Sequence, residues 1–163
     1  MKCGATRALP DDFDVLAPDG SEVRVLLAMT RGSMAHFQLP AGGVSLAVRH
    51  RTVEEIWYVI SGVGEMWRSR DGYAQITPLT SGTCLTIPAG AAFQFRCLGS
   101  EPLASVAITM PPWPGPEEAE MTDGIWVPNA GGGSDLPRGP AIGPRHASVT
   151  ASRGRGTCIR GCS

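Results

Sequence analysis

The stretch HRTVEEIWYVISG, His50 to Gly62, reads as a strand running into a tight turn. Its centre, Ile56–Ile60, is a run of β-branched and aromatic residues, which fit a pleated, half-buried surface. It ends at Ser61-Gly62-Val63-Gly64, where glycine permits a tight turn. The stretch GTCLTIPAGAAFQFRC, Gly82 to Cys97, repeats the form. Cys84–Ile87 leads to the punctuation Pro88-Ala89-Gly90, and Ala92–Cys97 follows. Alternate residues of a strand share a face. With Glu55 pointing inward, Trp57 and Val59 line the interior; with Phe93 inward, Phe95 does too. Tyr58 then lies outside, at a candidate oligomer contact.

Working outward, the same alternation of apolar run and turn fills residues 13–110. Ser21–Met29 follows Pro18-Asp19-Gly20, and Met34–Leu39 ends at Pro40-Ala41-Gly42-Gly43. Val44–His50 and Glu65–Arg68 come next in the pattern, then Asp71-Gly72 turns the chain into Tyr73–Thr77, and Leu103–Met110 closes the series. Strands spaced by about ten residues predict an all-β sandwich or barrel. Two halves of four strands suit a jelly roll. A short helical turn is expected around Glu117–Met121. The segment from Met110 to Pro116 carries four prolines and Trp113, which favours an extended strap. It reads as a strap packed over the barrel through Trp113, or as a lid that gates a ligand. Trp126 is a second candidate anchor.

The 163 residues suffice for about one domain. Glycine (21) and proline (14) are too abundant for a helical protein, since both weaken helix interiors. Eleven of them fall in residues 129–163, with five arginines and one acid, Asp135. That composition predicts a disordered Gly/Arg-rich tail after a domain spanning 1–128. The body is acidic and excludes a nucleic-acid-binding fold. The tail has no aromatic residue to stack on bases. Five cysteines at irregular spacing imply no disulfide framework. No secretory leader and no membrane helix is read in the chain, so the expectation is a cytoplasmic protein without membrane partners.

The two stretches resemble the paired motifs of the cupin superfamily, small barrels of the jelly-roll type also described as double-stranded β-helices. The first family motif runs His-x-His, three or four residues, Glu, six residues, Gly. His50, Glu55 and Gly62 match it. The second runs Gly, five residues, Pro-x-Gly, two residues, His, three residues, Asn. Gly82, Pro88 and Gly90 match. The resemblance covers about residues 32–110 and implies an all-β cupin barrel. It also implies a metal site of three His and one Glu, donors that suit Fe, Mn, Ni or Zn. Here the chain departs from the family. Val48 takes the place of the first His, Phe93 that of the third, and Cys97 that of the Asn.

His50 and Glu55 are therefore the candidate catalytic pair, and with His36 the candidate metal ligands. Three readings stay open for the pair. It is part of a metal site completed from outside the motif, a metal-free acid–base pair in a ligand cavity, or a structural contact. The second has a physical basis, because histidine titrates near neutrality and a carboxylate beside it tunes that titration. His36 and Gln38 alternate in one strand and share a face, although Ala35, Phe37 and Leu39 are an equal choice for the inner one. Gln94 has the opposite parity to Phe93 and points away from the interior. Trp57, Phe93 and Phe95, with Gln38, are the candidate ligand-binding residues of an apolar pocket with few polar groups. The expected function is binding of a small organic molecule at a weakened or atypical metal site centred on His50 and Glu55, with enzymatic action there left open. The alternatives are a metal-dependent isomerase, cyclase or dioxygenase, and a non-catalytic sensor or structural dimer unit. A homodimer is expected from the resemblance and the strand edges.

Overall fold

The computed structural model describes residues 3–130. The chain forms eleven strands: β1 (Val15–Leu16), β2 (Glu22–Ala28), β3 (Ser33–Leu39), β4 (Val48–His50), β5 (Glu54–Ser61), β6 (Val63–Arg70), β7 (Tyr73–Thr80), β8 (Cys84–Ile87), β9 (Ala92–Cys97), β10 (Leu103–Met110) and β11 (Ala119–Met121). They build two antiparallel sheets, β1-β2-β3-β10-β5-β8 and β11-β4-β9-β6-β7. No strand ladder joins the sheets among the described residues, so the expected barrel is a two-sheet jelly roll. The expected helical turn is a single 3-10 turn, Pro116–Glu118, after which the chain extends again as β11. β11 and the two-residue β1 are the strands that apolar periodicity does not reveal, because both are short.

Alternation sets what faces inward. In β5 every second residue, Glu55, Trp57 and Val59, is buried, while Tyr58 on the outer face is 54% exposed. The facing sheet contributes Val48, Phe93, Phe95 and Met66, all buried. Trp57 spans the gap between the sheets. It stacks on Phe37 at 5.2 Å and meets Phe95 edge-on at 5.1 Å. Phe37 is thereby fixed on the inner face of β3, which sends its neighbours His36 and Gln38 to the outer face.

The turns are where the glycines are needed. Gly62 turns β5 into β6 at φ +85°, and a Cβ there would lie 2.5 Å from the Pro102 carbonyl oxygen. At Gly82 and Gly90 φ is +90° and +78°, with open space around the missing Cβ.

Beyond β11 the chain lies along the outside of the second sheet. The buried Gln94 amide holds it there: Nε2 donates to Ser45 O and Trp126 O, and Oε1 accepts from Ile125 N and Trp126 N. Arg96 places its guanidinium 4.4 Å over the Trp126 ring. Asn129 and Ala130 donate their backbone N–H groups to Val44 O. The body thus runs through Ala130, and the remainder of the expected tail lies outside the described residues. No helix among the described residues is long and apolar enough to cross a membrane.

Candidate functional site

β4 and β5 bring His50 and Glu55 together from opposite sheets. The His50 Nδ1 and Glu55 Oε1 atoms are 3.7 Å apart, and both side chains are almost wholly buried. That distance lies within ion-pair reach and beyond a hydrogen bond. Glu55 is oriented by its own strand, since Trp57 Nε1 donates to Glu55 Oε2 at 2.5 Å. His50 Nδ1 is buried and makes no hydrogen bond. Two rings hold the imidazole instead, Phe93 at 5.2 Å and Trp113 at 5.0 Å, both edge-on.

Burial acts on both titrating groups. It pulls the His50 imidazole down to about 4, with the Glu118 carboxylate opposing the shift. It pushes the Glu55 carboxyl up to about 7; the Trp57 hydrogen bond works against this and the Asp19 carboxylate adds to it. At neutral pH, then, His50 is uncharged and Glu55 sits near its midpoint. Below that the contact is between two uncharged polar groups, one of them a carboxylic acid able to donate.

The polar surroundings come from residues that pattern alone does not single out. Thr109 of β10 stands opposite Glu55 and shares a hydroxyl–hydroxyl bond of 2.5 Å with Ser33. Ser33 Oγ also accepts the Trp113 N–H. Glu118 accepts from Thr52 N and from Val53 N at 2.7 Å, which fixes the loop between β4 and β5. Its pKa is lowered overall; burial raises it, and the hydrogen bonds from Thr52 and Val53 outweigh this. Asp19 Oδ1 accepts from the backbone and the hydroxyl of Ser21, while burial raises its pKa. Only strand pairing reveals that Thr109 faces Glu55, and the sequence separations involved hide all of these contacts.

Two expectations need correction. His36 does not join His50 and Glu55. It lies on the outer face of β3, paired across the strands with Arg24. The Arg24 guanidinium donates to Pro10 O and Asp11 O, so the N-terminal arm packs on that same face. Burial and the Arg24 charge both lower the His36 pKa. Gln38 shares that outer face and is likewise not brought to the pair. Trp57, Phe93 and Phe95 do point inward as expected, but as tightly packed core side chains. A groove of about 340 Å³ lies elsewhere, under the C-terminal segment, lined by residues such as Leu46, Met121 and Trp126.

The fit to a metal is incomplete. The buried pair supplies two donors. Val48 and Phe93 fill their positions with hydrocarbon, paired across β4 and β9. The Cys97 sulfur is turned to the Glu101 carbonyl. Among the described residues no group of three or more His, Cys, Asp or Glu side chains is placed to hold an ion.

Comparison with known proteins agrees with this architecture. Residues 35–109 match the family model described as a cupin domain. An uncharacterized protein of Methanocaldococcus jannaschii is 26% identical over 116 residues, covering 66% of this chain and 90% of its own. A solved structure of an uncharacterized protein with a double-stranded β-helix domain from Klebsiella pneumoniae aligns with a TM-score of 0.54 at 18% identity, over 73% of this chain and 91% of that one. The capsular polysaccharide assembling protein CapF from Staphylococcus aureus gives 0.56 at 16% identity, over 64% of this chain and 32% of its own. The coconut allergen cocosin gives 0.56 at 22%, over 64% and 30%. At these identities the solved structures share the fold alone, and a fold shared by such different proteins does not select an activity.

Proposed function

We propose that this chain, whose residues 35–109 match the cupin-domain family model, binds a small, partly apolar organic molecule at the mouth of the jelly roll, with His50 and Glu55 as the polar anchor. One observation supports this reading above others. A buried histidine nitrogen without a hydrogen bond stands 3.7 Å from a buried carboxyl group. Leaving a buried polar group unpaired costs about 1–3 kcal/mol. A structural pair would close that gap, whereas a ligand group would fill it. The surrounding rings of Phe93 and Trp57 supply apolar walls. Such walls with a few convergent polar atoms are the usual make-up of a small-molecule site.

In this reading the pair acts on the ligand directly. His50, uncharged at neutral pH, accepts a hydrogen bond or a proton. Glu55 stands ready on either side of its midpoint to donate or accept. The test is a ligand-observed NMR screen with monocyclic phenols, neutral monosaccharides and short dicarboxylates. At least one class binds the wild type and is weakened about tenfold by His50→Ala and by Glu55→Ala, the loss of a buried hydrogen-bonded contact. Binding that survives both substitutions unchanged contradicts the assignment.

A further inference from the structure

The site just described is closed by a residue of the same chain. Trp113 sits over His50 with ring centroids 5.0 Å apart at an interplanar angle of 67°. The indole packs edge-on against the buried imidazole, whose Nδ1 has no partner. Aromatic rings gain from edge-on contact, but that contact does not replace a missing hydrogen bond.

The segment that carries Trp113 is anchored at its ends and lightly held between them. Upstream it continues from β10, which is paired on both sides along its length. Downstream, Glu118 is tied to Thr52 and Val53. Between these points Pro111, Pro112, Pro114 and Pro116 have no N–H to donate. The Trp113 N–H bonds to a single hydroxyl, Ser33 Oγ, at 3.0 Å. That hydroxyl keeps Thr109 Oγ1 as a partner if the strap lifts. Little backbone bonding is therefore lost when the indole leaves.

Resting on the reading of His50 and Glu55 as the anchor, we propose that the Trp113 indole occupies the ligand's own place, and that the ligand is a small planar ring bearing a hydroxyl or N–H donor that displaces it. The place is shaped for a flat ring, because it already holds one against His50. The indole carries an N–H of its own but does not place it on Nδ1, which has no hydrogen-bond partner, and a bare hydrocarbon ring leaves Nδ1 in the same state. A ring with a donor corrects it, giving Nδ1 the hydrogen bond it lacks while keeping the contact with the imidazole. Thr109, opposite Glu55, offers a hydroxyl to a second polar group.

A self-occupied site lowers apparent affinity by the fraction of molecules that are open, so removing the indole strengthens binding. The probes are phenol and its donor-free analogue toluene, titrated by ligand-observed NMR against wild type and Trp113→Gly, with circular dichroism confirming the fold. Trp113→Gly is expected to bind phenol about tenfold tighter than wild type does. It is expected to prefer phenol over toluene by about fivefold, the size of one net hydrogen bond. Adding His50→Ala removes that preference. Ser33→Ala, which keeps the indole and frees its tether, raises phenol affinity about threefold over wild type by enlarging the open fraction. Equal phenol binding by wild type, Ser33→Ala and Trp113→Gly overturns the displacement but leaves the anchor intact if His50→Ala still weakens it. Tighter binding in Trp113→Gly without any phenol preference overturns the anchor, and with it the donor-bearing ligand. No phenol binding to a folded Trp113→Gly overturns the proposal outright.

Discussion

At the residue scale, His50 and Glu55 are displaced in opposite directions by the same cause, burial, and this gives the pair a pH signature. His50 is held below its ordinary 6.5, so the unfolded chain takes up that proton first as pH falls. Its contribution to stability is lost as pH drops from 6.5 toward 4. Glu55 is held above its ordinary 4.5, so the folded chain keeps that proton longer as pH rises. Its contribution is lost as pH climbs from 4.5 toward 7. Between 4.5 and 6.5 the two slopes oppose each other, and the pair adds little pH dependence to the wild type. Glu55→Gln exposes the histidine slope, so stability rises with pH. His50→Gln exposes the carboxyl slope, so stability falls with pH. Each slope is at most about 1.4 kcal/mol per pH unit. Urea unfolding midpoints across that interval check it; two variants with parallel profiles rule it out. The identity of this pair was legible in the motif spacing, and so was the loss of the usual ligand positions at Val48 and Phe93. His36 was not placed by sequence, because Phe37 and His36 alternate and only the stacking of Phe37 on Trp57 shows which one faces inward.

At the element scale, turn chemistry was the most readable feature. Gly62, Gly82 and Gly90 all adopt positive φ at strand junctions, as their place in the two motifs implies. They are not equivalent. Gly62→Ala places a methyl against the Pro102 carbonyl and the Leu103 backbone, while Gly82→Ala meets open space. Thermal melts should show Gly82→Ala costing about 1 kcal/mol for the left-handed conformation and Gly62→Ala at least twice that. Equal costs would mean that the approach of residues 102 and 103 is not tight. The strap and β11 were legible only as an extended segment. What fixes them, Glu118 on Thr52 and Val53, joins residues 65 and 66 positions apart. Such a contact leaves no local pattern. Glu118→Ala strands a buried amide at Val53 and should cost about 2 kcal/mol, with Glu118→Gln restoring part of it by keeping an acceptor oxygen. Chemical unfolding of the two variants measures this, and an undiminished stability in Glu118→Ala contradicts the anchoring role.

At the scale of the whole molecule, two sheets face each other across an aromatic core, and the polar pair occupies one end of it. The expectation of an all-β jelly roll stands as two antiparallel sheets, whose ladders remain separate among the described residues. The C-terminal segment belongs to this body through Gln94, whose amide makes four hydrogen bonds with Ser45, Ile125 and Trp126. Parity alone turned Gln94 away from the interior correctly but gave no hint that it would clamp another part of the chain. Gln94→Ala leaves Ile125 N and Trp126 N without their acceptor and should lower the melting temperature by about 10 °C. A drop of only a degree or two would show that the segment is held by other contacts.

The central claim is that His50 and Glu55 meet a ligand directly, without a complete metal cluster around them. Elemental analysis tests it most directly, on tag-free protein incubated in turn with iron, manganese, nickel and zinc ions and then desalted. Two protein donors compete poorly with water for a divalent ion. The account predicts far less than one equivalent of any metal per chain, unchanged by His50→Ala. One firmly held equivalent that disappears in His50→Ala would contradict it.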